Sequence, residues 1–343
     1  MEKKIDLRNM TKEELAVFAE GLGEKPFRGR QIFKWVQGGA DSFDEMTNLP
    51  GKLRERLKEC ACIGKPQVLK RQDSKDGTVK FLFGFEDGNA IESVFMKYKY
   101  GNSICVSSQA GCRMGCTFCA SGKLGLARNL TAGEIISQIL LAEKETGEKV
   151  NHIVVMGTGE PFDNYDELSR FLNIMNDKDG LGIGMRNITV STSGLIPVIG
   201  RFAEDFPQVN LAISLHAPTD EVRSSMMPVN NKYPISDLIA ECRKYTEKTN
   251  RRITFEYAVV KDINDRDEDV ARLADLLRGM LCHVNLIPLN EIEESSGSLK
   301  AGSRERAIEI ADMLEKRGVA ATVRRSLGRD IDAACGQLRL KAD

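Results

Sequence analysis

Short apolar runs alternate with helical patterns along the chain from residue 104 onward. The runs are continuous, which is typical of parallel strands buried under helices, and the segments between them repeat apolar residues three and four positions apart, as amphipathic helices do. The predicted strands lie at 104–107, 153–156, 188–191, 211–215, 253–260 and 284–288, and a further strand is expected at 319–325. Six strand–helix units fit a partial (β/α)6 barrel better than a complete eight-fold barrel. A doubly wound open sheet is the alternative, and both folds place functional side chains at the carboxyl ends of the strands.

Two other patterns precede the barrel. Residues 66–101 alternate apolar and polar positions around two Asp-Gly turn signals, which predicts a small antiparallel sheet. Residues 1–60 have helical patterns: Thr11 and Glu14 can form a capping box, and a break is expected over 26–30 before the second helix. The predicted organisation is a small helical accessory domain at 1–60, a β-rich linker or insert at 61–101, and a barrel with a C-terminal catalytic segment at 102–343.

Composition and charge narrow the class of protein. The chain has 343 residues, of which 41% are hydrophobic, so it can build a large core. Its formal net charge of −1 gives no sign of affinity for nucleic acid, although local basic patches could still provide it. No apolar run approaches the ~18 residues that a membrane span needs, and the start of the chain lacks the apolar segment of a signal peptide. Nine cysteines in such a chain indicate a reducing compartment and metal-binding or catalytic thiols. We therefore expect a cytoplasmic protein that contacts no membrane.

Three cysteines stand close together just after the first predicted barrel strand. Cys112, Cys116 and Cys119 have a C-x3-C-x2-C spacing, and Cys105 precedes them. A zinc site is the conventional alternative, but zinc prefers four ligands in two separated pairs. Three thiolates are one too few for a 4Fe–4S cluster, which would leave one iron open to bind another molecule. In this context the spacing resembles that of the radical S-adenosylmethionine (SAM) enzymes, in which the open iron binds the amine and carboxylate of SAM.

Polar side chains and glycines also follow several predicted strands. Those that end the second, third, fourth and sixth strands are Gly159 and Glu160, then Ser191, then Ser214, Leu215 and His216, and finally Asn290. Glycine lets a backbone approach a ligand closely, and a glutamate can accept hydrogen bonds from an ammonium group. Each group alone is a weak signal, and a lone histidine at a strand end is more often structural. Their placement at one rim, the ligand-binding face of a β/α barrel, favours a common site.

One further cysteine, Cys335, lies near the end of the chain, within a segment that also carries Arg324, Arg325 and Arg329. Neighbouring cations favour a thiolate, although a small buried side chain is the common alternative for a cysteine without a disulfide. Over roughly residues 90–340 the chain resembles the dual-specificity RNA adenine-C2 methyltransferase family. The strings that carry the resemblance are CVSSQ at 105–109, the cysteine loop (residues 112–119), GEP at 159–161, SLHAP at 214–218, NLIP at 285–288 and DAACGQL at 332–338.

The resemblance implies particular substrates and cofactors. The substrates would be an adenosine in the peptidyl-transferase region of 23S rRNA and the adenosine beside the anticodon in tRNA. Cys112, Cys116 and Cys119 would hold a 4Fe–4S cluster. The residues expected to contact SAM are Gly159, Glu160, Ser191, Ser214, Leu215, His216 and Asn290.

The resemblance also implies a covalent mechanism that uses two thiols. Cys335 would accept a methyl group from one SAM, and a radical made from a second SAM would take a hydrogen atom from that methyl group. The resulting carbon radical would add to adenine C2, with Glu92 as the proton acceptor. Cys105 would then attack the sulfur of Cys335, forming a transient disulfide and freeing the product. Such a route suits adenine C2, an unactivated carbon with no nucleophile for polar methyl transfer, and the release step is a form of thiol–disulfide exchange.

The expected partners are RNA and an external electron donor such as flavodoxin or ferredoxin, and the chain is expected to be a monomer. RNA binding is the least visible property of the sequence. The candidate phosphate contacts are Lys25, Arg28, Arg30 and Lys34 in the N-terminal unit, and Arg324, Arg325, Arg329, Arg339 and Lys341 near the other end. An ordinary solvated helix face is the alternative for the N-terminal group.

Two other functions are compatible with these residues. A related C8-methylating enzyme that acts on the same rRNA adenosine shares the cluster and both thiols. A zinc-stabilised RNA-binding protein without catalytic activity is the alternative from a different class. Regiochemistry separates the first from the C2 enzyme, and bound iron separates the second.

Overall fold

The computed structural model describes residues 4–123, 125–288, 300–325 and 327–333. Its helices are α1 (Lys12–Gly21), α2 (Phe27–Gln37), α3 (Gly51–Cys60), α4 (Ala120–Lys123), α5 (Ala132–Thr146), α6 (Tyr165–Asn176), α7 (Ile196–Asp205), α8 (Asp220–Met226), α9 (Ile235–Thr249), α10 (Asp267–Leu277) and α11 (Arg304–Lys316). Its strands are β1 (Ile5–Asp6), β2 (Ala61–Cys62), β3 (Gln67–Asp73), β4 (Val79–Gly84), β5 (Ala90–Tyr98), β6 (Gly101–Val106), β7 (Gln109–Cys112), β8 (Gly125–Asn129), β9 (His152–Val155), β10 (Ile188–Thr192), β11 (Asn210–Ser214), β12 (Ile253–Val259), β13 (Cys282–Pro288) and β14 (Ala321–Val323). None of the described helices combines the length and the apolar character needed to cross a membrane.

A single sheet of ten strands, in the order β14-β13-β12-β11-β10-β9-β6-β5-β4-β3, organises the described residues. From β6 to β14 the neighbouring strands pair in parallel and follow one another in chain order. A doubly wound sheet would reverse its strand order at a switch point, so that alternative is excluded. Strands β3, β4 and β5 extend the same sheet in antiparallel pairing. The predicted partial (β/α)6 barrel is confirmed, with β14 after its sixth unit.

The two faces of the sheet differ in polarity. On the outer face Ile104 and its neighbours are fully buried beneath the helices. On the inner face Cys105 pairs with Val154 of β9, and Val154 pairs with Thr189 of β10. Since strand side chains alternate between the faces, Ser191 points the same way as Thr189, two positions nearer the carboxyl end. The inner face therefore connects the predicted thiol on β6 to the predicted cofactor contacts on the later strands.

The N-terminal helices form a unit that the pairing of β1 with β2 closes. Helix α1 begins with the predicted capping box, in which Thr11 and Glu14 satisfy each other's backbone N–H groups. The predicted break over 26–30 is wrong, because α2 begins at Phe27, directly after Pro26. Proline is tolerated at the start of a helix, where its missing N–H removes no intrahelical hydrogen bond.

The crossing of α1 and α2 depends on Gly29. A Cβ atom on Gly29 would lie 2.3 Å from the nitrogen of Ala16 and 2.4 Å from the carbonyl oxygen of Leu15. Both are backbone atoms, so Gly29→Ala should push the helices apart and lower the free energy of unfolding by about 1–3 kcal/mol in urea denaturation. Gly21→Ala is the matched control, since a Cβ there has nothing within 4 Å. Equal losses of stability in the two variants would contradict this role for Gly29.

Asp179 joins the N-terminal unit to the barrel. Its carboxylate makes ion pairs with Arg30 at 2.7 Å, Lys12 at 3.4 Å and Lys34 at 3.5 Å. Lys12 also pairs with Asp177 at 2.6 Å. Arg30 and Lys34, two of the candidate phosphate contacts, thus serve an internal ion-pair network, and any RNA phosphate that they bound would compete with Asp179.

Candidate active site

The cysteine loop begins at the end of a short β-hairpin strand. The sequence pattern did not predict this hairpin. Strands β7 and β8 pair in antiparallel fashion, and Cys112 is the last residue of β7. Gly111 has a φ of 78°, and a Cβ there would lie 1.9 Å from the carbonyl oxygen of Gly125 on the partner strand. Only glycine permits this close approach of the two backbones. Both strands are short and contain glycine, so they lack the apolar alternation that would have predicted them.

The loop that follows Cys112 is fastened to helix α8. The backbone N–H of Thr117 donates to the carbonyl oxygen of Met226 at 2.9 Å, and its Oγ1 reaches the same oxygen at 3.4 Å. Within the loop the N–H of Cys119 donates to the carbonyl oxygen of Cys116 at 3.2 Å. Cys112, Cys116 and Cys119 consequently line one cavity.

The chemistry of these three thiols fits a multi-iron cluster. Burial raises the pKa of Cys112 to about 12 and raises the pKa of Cys116 as well, and the neighbouring thiols add to both effects. A strongly cationic ligand would remove this penalty on the thiolates. In the part of the chain that the structure describes, no group of three or more His, Cys, Asp or Glu side chains is gathered as a metal-ion site. A cubane cluster binds each thiolate through a different iron, so its ligands stand farther apart than those of a single ion.

The cavity lies at the carboxyl ends of the parallel strands, where a β/α barrel places its ligands. Five of the predicted SAM contacts line it together with the three cysteines, namely Gly159, Glu160, Ser191, Ser214 and His216. Leu215 is fully buried and does not line the cavity, and its backbone N–H donates to the carbonyl oxygen of Glu256 at 3.1 Å. Asn290 lies outside the described residues.

Backbone donors hold Glu160 in one orientation. The N–H of Ser193 donates to its Oε2 at 2.7 Å, and the N–H of Phe162 donates to its Oε1 at 3.0 Å. Burial raises the pKa of Glu160, and these hydrogen bonds oppose the shift. The preceding Gly159 has a φ of 113°, and a Cβ there would lie 2.7 Å from the side chain of Gln109. This arrangement fixes a carboxyl group at the cavity, where it could bind an ammonium group of a ligand.

His216 supports the aromatic ring of the cysteine loop. Its backbone has a φ of 58°, and its Nδ1 accepts a hydrogen bond from the N–H of Ala258 at 2.9 Å. Burial lowers the pKa of His216 to about 3, so the ring is neutral near pH 7 and, with Nδ1 as the acceptor, carries its proton on Nε2. The ring of Phe118 meets it edge to face, with 4.8 Å between the ring centroids. A structural role and a place in the cavity wall therefore coexist in this histidine.

Cys105 and Glu92 lie outside this cavity, on the inner face of the same sheet. Cys105 is buried in an apolar cluster that includes Met156 and Ala333. Met156 also lines the cavity, so the two regions adjoin. Ala333 lies two positions before Cys335 in the chain, and Cys335 itself lies outside the described residues.

Lys80 links Glu92 to the C-terminal segment. Its Nζ lies 3.2 Å from Oε1 of Glu92, with both side chains 7% exposed, and donates to the carbonyl oxygen of Asp332 at 3.1 Å. Asp330 accepts a hydrogen bond from Oγ of Ser74 at 2.5 Å, which fastens the same segment to the β3–β4 turn. The carboxylate of Glu92 therefore contacts a buried ammonium group that also contacts the C-terminal segment.

Several buried polar residues of the site were missed from the sequence. Arg223 donates to carbonyl oxygens at two strand ends. Gln138 on α5 exchanges hydrogen bonds with the backbone of Ser107, at 2.8 and 2.9 Å. Glu256 lines the cavity and accepts from Nδ2 of Asn285 at 2.8 Å. Each partner is remote in sequence or belongs to another element, so no local motif marks these residues.

Two family models match parts of the chain. Residues 5–63 match the ribosomal RNA large subunit methyltransferase N-terminal domain. Residues 106–274 match the radical SAM superfamily. The two matches cover the N-terminal helical unit and most of the barrel.

Similar proteins extend over almost the whole chain. A probable dual-specificity RNA methyltransferase RlmN from Alkaliphilus oremlandii is 54% identical over 340 residues, which cover 99% of this chain and 98% of that protein. A protein of the same description from Clostridioides difficile is 48% identical over 340 residues, again covering 99% and 98%. A crystal structure of a radical SAM methyltransferase from Sphaerobacter thermophilus is similar with a TM-score of 0.93 and 46% identity, covering 98% of this chain and 99% of that one.

Proposed function

Because the chain belongs to the family of dual-specificity RNA methyltransferases RlmN, which are radical SAM enzymes, we propose that it methylates C2 of adenosine in two RNAs. The substrates are an adenosine in the peptidyl-transferase region of 23S rRNA and the adenosine beside the anticodon in tRNA. The observation that supports this most is the single cavity lined by three cysteines and by the strand-end residues of the family-like strings. Membership of an enzyme family excludes the zinc-stabilised, non-catalytic alternative.

The cofactors of this family are a 4Fe–4S cluster and SAM. Cys112, Cys116 and Cys119 would hold the cluster. Gly159, Glu160, Ser191, Ser214, Leu215, His216 and Asn290 would contact SAM. When bound, the cluster supplies the electron that cleaves SAM to a hydrogen-abstracting radical. The fixed carboxyl group of Glu160 would orient the amino group of SAM, and the Leu215 contact would come from its backbone, since its side chain faces the core.

Cys335 would carry the methyl group as S-methylcysteine. A second SAM would serve to remove a hydrogen atom from that methyl group. Its carbon would then become bonded to adenine C2, Glu92 would accept the C2 proton, and the one surplus electron of the adduct would pass to the iron–sulfur centre. The thiolate of Cys105 would attack the sulfur of Cys335. An S–S bond forms, the C–S bond breaks, and its electron pair remains with the carbon, which takes up a proton. The burial of Cys105 in the apolar cluster against which Ala333 packs supports this pairing of thiols.

RNA would enter at the inner face of the barrel, with the target adenosine out of its stack. The enzyme would act in the cytoplasm as a monomer and draw electrons from a donor such as flavodoxin or ferredoxin. Residues 1–60 would form an accessory domain, 61–101 the β-rich linker and 102–343 the catalytic part. Arg325 is exposed near the cavity-lining Arg324 and is the described C-terminal cation best placed for a phosphate.

Methylation of ribosomal RNA and tRNA fragments side by side tests this function. We expect reconstituted protein, given SAM and a reductant without oxygen, to form 2-methyladenosine in both RNAs, as detected by mass spectrometry of the digested products. Fragments with guanosine at the target position are the control. Formation of 8-methyladenosine would identify the C8-methylating activity instead, and product in one RNA alone would contradict the dual specificity.

A further inference from the structure

Arg223 is a completely buried cation beside the cysteine loop. Its Nε donates to the carbonyl oxygen of Leu215 at 3.1 Å, and its Nη2 donates to those of Ser193 at 2.6 Å and Ser214 at 3.1 Å. Its Nη1 donates to Oδ1 of Asn230 at 3.0 Å. The guanidinium therefore ties the carboxyl ends of β10 and β11 together, and all four acceptors are neutral.

A buried charge with only neutral partners is costly unless a negative group lies nearby. Among the described residues no carboxylate forms an ion pair with Arg223. Asp220, at the start of α8, accepts a hydrogen bond from Nδ2 of Asn230 at 3.0 Å and so acts on the guanidinium only from behind that amide. Burial lowers the pKa of Arg223 to about 10, and the Cys116 thiol opposes this shift more strongly than Asp220 does. Arg223 is thus a cation at neutral pH, and Cys116, a predicted cluster ligand, would become a counter-charge when it binds iron as a thiolate.

Helix α8 carries Arg223 and is joined to the cysteine loop. Arg223 and Met226 lie within one turn of each other, and Met226 accepts the hydrogen bond of Thr117, the residue after Cys116. A bound cluster with three thiolates is anionic, and its reduction adds one more negative charge. Net charge and the local field are among the factors that set the potentials of iron–sulfur centres.

We propose that Arg223 is a positioning and charge-compensating residue for the iron–sulfur centre, which holds the strand ends and α8 against the cysteine loop and favours the reduced cluster. This rests on the assignment of Cys112, Cys116 and Cys119 as the cluster ligands. Loss of the charge destabilises the state with the larger negative charge, so the reduction potential falls. A side chain that merely fills space would leave the potential unchanged.

The test is a redox titration of the reconstituted cluster, in which electron paramagnetic resonance measures the reduced fraction. For Arg223→Gln we expect the ratio of reduced to oxidised cluster at a fixed potential to fall about tenfold, which is about 59 mV for one electron. Arg223→Lys keeps the charge and should retain a potential close to that of the unaltered protein. Arg201→Gln is the matched control, because Arg201 is exposed and paired with Asp166 and Asp205, and it should change nothing.

An exchange of two neighbours tests the same charge without removing Arg223. Asp220→Asn combined with Asn230→Asp keeps the net charge but puts a carboxylate against Nη1 of Arg223. The reduction potential should again fall, at unchanged iron content. If Arg223→Gln does not fold, this exchanged pair alone tests whether the charge of Arg223 favours the reduced cluster. An unchanged potential in the exchanged pair or in a folded, iron-loaded Arg223→Gln protein would overturn the proposal. An unaltered protein that binds no iron would contradict the cluster assignment instead.

Discussion

Replacing Cys116 with alanine should abolish iron binding and RNA methylation together while the protein stays folded. Cys112 and Cys119 would remain in the cavity, but two thiolates are too few to hold a 4Fe–4S cluster with an open iron. The change removes a thiol whose ionisation burial already disfavours, and its loop is still fastened through Thr117. Iron per chain and visible absorption after anaerobic reconstitution measure the first loss, and mass spectrometry of digested RNA measures the second.

Cys242→Ala is the control for this variant. Cys242 is completely buried, but it lies on α9 and does not line the cavity. We expect it to bind iron and to methylate RNA, with a loss of stability from the small cavity that it creates. A Cys116→Ala protein that keeps its full iron content would remove Cys116 from the ligand set, whatever its activity.

Much of the barrel could be predicted from its apolar pattern. Strands buried on both faces leave continuous apolar runs, and all six predicted runs coincide with β6, β9, β10, β11, β12 and β13. The helix start at Thr11 was also predictable, because a capping box is a local arrangement of two side chains. Such features depend on residues close together in the chain.

The errors arose where the decisive contact is remote. Pro26 and Gly29 looked like a break, yet Gly29 lies in a helix because its missing side chain admits the backbone of α1. The β7–β8 hairpin is short and rich in glycine, and its geometry serves the loop that follows Cys112. Local propensity points away from helix and strand at these positions, and tertiary packing decides them.

The residues of the site also divide into those that the sequence predicted and those that it did not. The strand-end residues were predictable as a set because the fold gathers the carboxyl ends of its parallel strands at one rim. The role of Lys80 was not predictable from the sequence. Its two partners are Glu92 on the neighbouring strand and the backbone of Asp332, 252 positions away in the chain. Arg223 was not predictable for the same reason, because three of its four acceptors are backbone carbonyl groups, which the sequence does not reveal.

Replacing Cys105 with alanine should stop the reaction after one round, with RNA covalently attached to the protein. In the proposed mechanism Cys105 acts only in the release step, so the carbon bridge between Cys335 and adenine would form and persist. Cys105 is buried in a small apolar cluster, so alanine should cause only a modest loss of packing. A denaturing gel with labelled RNA should show a band at the combined mass of protein and RNA, and product formation should cease.

A second substitution separates this interpretation from simple inactivation. Adding Cys335→Ala to the Cys105 variant removes the methyl carrier, so the covalent band should disappear while iron content is retained. Cys335→Ala alone should likewise form neither adduct nor 2-methyladenosine. An adduct in the double variant would show that another residue carries the carbon, and normal turnover by Cys105→Ala without an adduct would remove Cys105 from the mechanism. Cys105 lies on the inner face of the barrel, and the same apolar cluster includes the cavity-lining Met156 and Ala333, two positions before Cys335, so the proposed release step is the one that this position supports.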